Sequence, residues 1–348
     1  ELPSHGAAFG DVVSDGDLDL FIARWIGEPD LGPGPDSKRS EGCPADLPSR
    51  GQPGLFLNDG SGHFHNGTEA WGLDLGDVYA FQPTFADYDA DGWPDLLLTG
   101  DFCTSRVFRN LEGSGFADVT DQLGVGTDEN GMGSTVADFN GDGLLDWFVT
   151  AISYPTGDST CPFEYGCSGY RLYLNQGEGS QFEDATDHYG LRNGYWGWGS
   201  TVVDLNHDGN LDVVQTNGNV GDSYFAHDPT TVWVSPGEPP LARSTQRVGL
   251  DDSGLGKSAV AFDAEGDGDL DILIVNTGTA PSLWRNDLPV DQNWIQVRLV
   301  DEAGRDPRAI GARVTVDLPT DKRARITAVS ASGSFQGQDP TTLHFGLG

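Results

Sequence analysis

Basic residues are scarce in this chain of 348 residues: 19 Lys and Arg stand against 54 Asp and Glu, a formal net charge of −35. That scarcity excludes nucleic acid as a partner and argues against docking on an anionic membrane, because both need clustered cations. A compact body with such an excess repels itself unless cations or salt offset it. Long apolar runs are also missing: none reaches the roughly 18 residues that a spanning helix requires, so membrane insertion is not expected. Amphipathic helical periodicity is absent throughout. There is no G-x-S-x-G elbow, no HExxH, no P-loop and no Rossmann glycine pattern behind a strand. Cysteines number four, Cys43, Cys103, Cys161 and Cys167, with no CxxC pair and no histidine in zinc spacing. They read as disulfides of an oxidising compartment, and hence of a secreted, periplasmic or cell-surface protein. No signal peptide is visible and the chain begins at Glu1, so it reads as a mature or trimmed product.

Aromatic residues and glycines are plentiful. The 9 Trp, 17 Phe and 9 Tyr argue against disorder, and 49 Gly suit a fold with many tight turns. Five segments share one plan: GAAFGDVVSDGDLDLFIA (6–23), PTFADYDADGWPDLLLTG (83–100), STVADFNGDGLLDWFVT (134–150), STVVDLNHDGNLDVVQT (200–216) and SAVAFDAEGDGDLDILIV (258–275). Behind most of them follows a second module, LFLNDGSGHF, VFRNLEGSGF or LYLNQGEGSQF, with a degenerate VWVSPG in the fourth unit. Each unit reads as four short strands: A ends in an acidic loop, B follows it, C carries LxLN, and D begins near the Phe. Such units fit the blades of an all-β propeller over residues 1–290, with a small C-terminal β module over 291–348.

The acidic loops have the form D-x-[D/N]-x-D-G-x-x-D. Calcium takes six to eight oxygens from a flexible loop: side chains at positions 1, 3 and 5, a carbonyl at 7 and a closing carboxylate at 9. Loop one offers Asp11, Asp15, the Asp17 carbonyl and Asp19, and loses a ligand to Val13 at position 3. Loop two offers Asp87, Asp89, Asp91, the Trp93 carbonyl and Asp95. Loop three has Asp138, Asn140, Asp142, Leu144 and Asp146, and loop four has Asp204, Asn206, Asp208, Asn210 and Asp212. Loop five has Asp263, Glu265, Asp267, Asp269 and Asp271. Position 6 is always glycine, at Gly16, Gly92, Gly143, Gly209 and Gly268. An EF-hand starts alike but needs a Glu at position 12, where this chain has Ile22, Leu98, Val149, Gln215 and Ile274 in strand-like surroundings. Four to five calcium ions are therefore expected, with magnesium less suited because it demands a rigid octahedron.

At these residues the chain resembles the FG-GAP/VCBS repeat proteins, whose blades carry such calcium loops in integrin-like propellers. The segments AIGARVTV (309–316), SASGSFQGQDP (330–340) and LHFGLG (343–348) look like the ASPIC/UnbV domain that closes proteins similar to cartilage acidic protein. The resemblance implies a secreted calcium-binding module of adhesion or extracellular interaction, with a protein or carbohydrate partner. It also implies rings usually of seven blades. With five units visible, either the ring closes differently or the chain is a fragment.

Other candidates compete with plainer readings. His63 and His65 share a strand face but suit exposed positions, and Tyr195, Trp196 and Trp198 suit packing as well as sugar stacking. Asn66-Gly67-Thr68 is a glycosylation sequon only in a eukaryotic secretory context. The alternative to a binding module is a propeller-fold lyase, hydrolase or cyclase on the face opposite the calcium loops. Large B–C connections (24–53, 151–169 and 217–230) must emerge on that face, and the cysteines lie in B–C connections. Trp25, Tyr154, Phe163, Tyr165, Tyr224 and Phe225 fall in or beside these loops as candidate partner contacts. The spacing suggests the pairs Cys161–Cys167 and Cys43–Cys103.

Overall fold

The computed structural model describes residues 4–26, 51–154, 166–219, 221, 224–287, 292–300, 309–318, 325–330 and 333–348. Strand pairing follows the repeat plan. The first sheet joins β1 (Gly6–Gly10), β2 (Asp19–Ala23), β3 (Gly54–Asn58) and β4 (Phe64–Asn66) in sequence order, all antiparallel. The second joins β5 (Tyr79–Ala86), β6 (Asp95–Asp101), β7 (Arg106–Asn110) and β8 (Phe116–Asp118). The third joins β9 (Ser134–Ala137), β10 (Asp146–Val149), β11 (Arg171–Leu174) and β12 (Glu183–Asp184). The fourth joins β13 (Gly197–Val203), β14 (Asp212–Asn217), β15 (Thr231–Val234) and β16 (Ala242–Arg243). A fifth, three-stranded sheet joins β17 (Gly256–Phe262), β18 (Asp271–Asn276) and β19 (Ser282–Trp284).

These are propeller-type blades. The A strands are innermost and pack in the order β1, β5, β9, β13, β17. The core lies between neighbouring sheets, which explains why the B strands read as continuous apolar runs. Leu96 and Leu98 of β6 face the first sheet, whereas Leu97 faces the third. Phe148 of β10 faces the fourth sheet while Trp147 and Val149 face the second. Val213 and Val214 of β14 divide between the third and fifth sheets in the same way. Period-two alternation with both faces buried leaves these apolar stretches no side turned to solvent.

Helix is confined, among the described residues, to three single turns, α1 (Thr120–Leu123), α2 (Thr186–Tyr189) and α3 (Thr245–Val248). Each follows a D strand and ends at a left-handed glycine, Gly124, Gly190 or Gly249. Beyond the fifth sheet, β20 (Trp294–Arg298) pairs with β23 (Thr342–Gly346), and β21 (Arg313–Val316) with β22 (Arg325–Ala328). Ile326 and Ala328 pack against the core between the second and third sheets, so these strands are docked on the array.

Candidate metal loops and the opposite face

All five acidic loops connect strands A and B and share one hydrogen-bond scheme. The position-6 glycines sit at φ between +82° and +99°, a region closed to most side chains. Each turns its N–H onto Oδ2 of the position-1 Asp: Gly16 to Asp11, Gly92 to Asp87, Gly143 to Asp138, Gly209 to Asp204 and Gly268 to Asp263, at 2.7–3.1 Å. The position-5 carboxylate accepts the N–H of position 7, as Asp91 does from Trp93 at 2.9 Å, and the same bond recurs at Asp15–Asp17, Asp142–Leu144, Asp208–Asn210 and Asp267–Asp269. Two side chains at position 3, Asn140 and Asn206, donate their amides to Asp142 and Asp208.

The position-9 Asp does more than close the loop. Its Oδ2 accepts the N–H of position 2: Val12 to Asp19, Tyr88 to Asp95, Phe139 to Asp146, Leu205 to Asp212 and Ala264 to Asp271. Its Oδ1 accepts an N–H just past strand B's neighbour, at the end of the C segment: Asn58 to Asp19, Asn110 to Asp95, Asn175 to Asp146, Ser235 to Asp212 and Asn286 to Asp271. One buried carboxylate thereby ties strands A, B and C of each blade. Burial pushes these carboxyls up in loops one to four, to about 9 at Asp95, about 8 at Asp146 and Asp212 and about 6 at Asp19. Burial likewise raises the position-1 carboxyls of loops one to four, Asp138 and Asp204 to about 6. A hard cation would supply the missing counter-charge.

Loop two shows the best fit to such a cation. Ligand atoms of Asp87, Asp89 and Asp95 all lie within 4.8 Å of one another, and Asp87 Oδ1 is buried without a hydrogen-bond partner. Among the described residues no other loop brings three acidic side chains so close. In loop one Val13 turns away and packs against the core between the first two sheets. In loop five the longer Glu265 is exposed and paired with Arg285 at 3.5 Å.

The LxLN asparagine was legible as a pattern but not as a contact. Asn110 of the second sheet donates to the Val12 carbonyl of the first (3.0 Å), and Asn175 of the third to the Tyr88 carbonyl of the second (2.8 Å). Asn286 of the fifth reaches the Leu205 carbonyl of the fourth (2.8 Å). These clips bind the loop of one blade to the C strand of the next. Ser235, which replaces Asn in the degenerate fourth unit, bonds instead to Gly237 (3.2 Å).

At the opposite face the expected contact residues divide. Trp25 stacks on Phe81 at 5.2 Å and donates to Asp101, and Phe225 is fully buried against Trp196, so both are packing residues rather than partner contacts. Trp196, Trp198 and Tyr195 join the same aromatic cluster. Tyr154 and Tyr224, from the B–C connections of the third and fourth units, meet at 5.0 Å, and Tyr224 is 44% exposed. His63 is exposed, and its Nδ1 lies 2.8 Å from Ser61 Oγ. Phe163 and Tyr165 lie outside the described residues, as do Cys43 and Cys161. Of the two described cysteines, neither Cys103 nor Cys167 is a free thiol.

A family model for FG-GAP-like repeats matches residues 45–98, 87–149 and 164–214, and one for ASPIC and UnbV matches residues 302–348. The matched repeats take in loops two, three and four; loops one and five share their geometry outside the matched ranges. No curated protein matches the chain. The V. cholerae biofilm matrix protein Bap1 is similar at 14% identity and a TM-score of 0.42, over 79% of this chain and 35% of that one. The chain thus spans about 35% of Bap1. The GH43_1 enzyme from Xanthomonas citri, complexed with xylotriose, is similar at 12% identity and a TM-score of 0.35, over 82% and 87% of the two chains. Neither likeness is close enough to carry over a ligand or a reaction.

Proposed function

This chain carries FG-GAP-like repeats and a C-terminal ASPIC and UnbV domain, and on that footing we propose that it is an extracellular, calcium-binding propeller that presents a binding face to a protein or carbohydrate. The observation that carries the calcium part is the buried, unpartnered Asp87 Oδ1 beside Asp89 and Asp95, in a loop scheme repeated five times. Asp87, Asp89, Asp91, Asp95 and the Trp93 carbonyl would hold the ion in loop two, and the corresponding residues in the others. Calcium would supply the charge that lets buried carboxylates ionise and would pin strands A and B together. The chain's own contribution is the glycine turn and the buried, braced position-9 Asp.

The binding part rests on the face opposite the loops, where Tyr154 and Tyr224 form an aromatic pair on the rigid array. An enzyme there is the weaker reading. The axial end on that side is filled by Phe81, Trp198 and Phe335, with ring centroids 5.1–6.1 Å apart. The cavity nearest the axis, about 190 Å³, is not on that side: loop residues Asp138, Asn140, Asp204 and Asn210 line it together with His344 and Gly346 of the C-terminal strands. A larger one of about 790 Å³ lies off the axis between the fourth and fifth sheets.

Calorimetric titration of the chelator-stripped chain tests the reading. Four to five calcium equivalents are expected, together with a melting temperature that rises with calcium. A hundredfold excess over Kd adds roughly 2.7 kcal/mol per site that binds only the folded state. A flat titration, or an unchanged melt after metal loss is verified by elemental analysis, would refute it.

A further inference from the structure

The calcium loops have a second neighbour. The C-terminal strands sit on loops three, four and five, and their contacts are to the parts of the loops that a metal would fix. In loop three the Arg313 guanidinium donates to the carbonyl of Gly143, the position-6 residue. In loop four Gly346 lies so close to the position-1 Asp204 carboxylate that a Cβ would collide with it, and the Gly348 N–H donates to the His207 carbonyl at 2.9 Å. In loop five Gln296 Nε2 donates to Oδ2 of the position-1 Asp263 at 3.1 Å. The Trp294 indole covers Gly268, the position-6 residue of the same loop.

From this seat the chain dips into the axis. Ser334 Oγ accepts the Ala259 N–H of β17 at 2.9 Å, and Phe335 packs between Phe81 of β5 and Trp198 of β13. Those positions lie at the starts of the innermost strands, the end away from the calcium loops. Asp339, further along, accepts from Thr201 Oγ1 at 3.4 Å, nearer the loop end of β13. Residues 333–340 therefore occupy the axis between the second, fourth and fifth sheets, anchored above by the loops.

We propose that metal occupancy of loops three to five and docking of the C-terminal strands are coupled, so that calcium locks residues 333–340 into the axis and the docked strands in turn tighten calcium. The proposal rests on the calcium reading above. Its physical basis is the shape of the seat. Gln296 and Gly346 meet position-1 carboxylates, and Arg313 and Trp294 meet position-6 glycines, so each contact needs the loop in its closed form. Loops crowded with carboxylates and lacking a cation relax by mutual repulsion, and the seat relaxes with them. Coupling between two sites is reciprocal, so weakening the seat must weaken the metal by the same factor. None of these contacts reaches loop one.

Hydrogen exchange of the whole calcium-saturated chain decides the matter. Asp267→Asn removes the charge of the position-5 ligand in loop five, at a residue outside the contacts named above; Asp15→Asn does the same in loop one. Asp267→Asn should speed exchange in β20, β23 and residues 333–340 by about tenfold or more, within the usual coupling range, whereas Asp15→Asn should leave it unchanged. Gln296→Ala should weaken calcium at loop five most, by about fivefold, and at loops three and four to a lesser degree, while loop one holds. Equal exchange in both loop variants, or no change in Asp267→Asn after loss of one calcium is verified, overturns the coupling and leaves the calcium reading standing. A chain that binds no calcium at all overturns both.

Discussion

Replacing Asn175 by Ala isolates the clip between the second and third sheets. Its amide donates to the Tyr88 carbonyl at 2.8 Å and the Leu145 carbonyl at 3.2 Å, and its Oδ1 accepts the Gly177 N–H at 3.0 Å. The residue is 3% exposed, so water does not replace these partners readily. Alanine keeps the backbone N–H on Asp146, which leaves the acidic loop braced. A buried group deprived of its partner costs about 1–3 kcal/mol; with the half-buried Gly177 N–H able to turn to water, and the two carbonyls sharing one amide donor and so each at the low end, the substitution should cost roughly 2–4 kcal/mol in all. At about 2 °C per kcal/mol for a long chain, the melting temperature should fall by roughly 4–8 °C. Asn175→Asp should be worse, because it points a carboxylate at two carbonyls. The assay is thermal and denaturant unfolding at saturating calcium, with calcium stoichiometry as the control. A loss within about 0.5 kcal/mol of wild type, the range of an ordinary surface change, would refute the clip.

Loop one should bind calcium most weakly, since Val13 packs inward and offers no oxygen; Asp11→Asn should delete the weakest step of a calcium titration, and Asp87→Asn a tighter one. Asp339 is buried, which raises its carboxyl to about 7, above the ordinary 3.8. The folded state then holds a proton that the unfolded state releases, so the stability it contributes is full below about pH 4 and lost as pH rises through 7; Asp339→Asn should flatten the unfolding free energy between pH 5 and 8 at fixed calcium. Alanine at both Tyr154 and Tyr224 should weaken partner capture at least tenfold without altering calcium content, the scale of an aromatic hot spot; intact binding in the pair, with loss on changing the loop face, would place the partner on the other side. Peptide mapping should find Cys43 joined to Cys103 and Cys161 to Cys167, and a Cys43–Cys161 peptide would overturn that assignment.

Spacing alone determined a great deal here. Five nine-residue acidic loops, each with glycine at position 6, and the apolar runs behind them place the A and B strands and the ligand positions, because a loop and the hairpin around it are local structure written in consecutive residues. The C and D strands followed from the LxLN and Phe patterns for the same reason. What the pattern left open depends on residues far apart in the chain. That Asn110 and Asn175 reach the preceding blade, that Asp19 and its counterparts brace three strands, and that Tyr154 meets Tyr224 while Phe225 turns inward are matters of packing between units. So is the place of residues 333–340: as sequence they mark a C-terminal module, and only the array of innermost strands meeting Ser334 and Phe335 makes them a plug among those strands. Local turns are dictated by the backbone needs of a few neighbouring residues, whereas burial and reach are decided when separate blades meet.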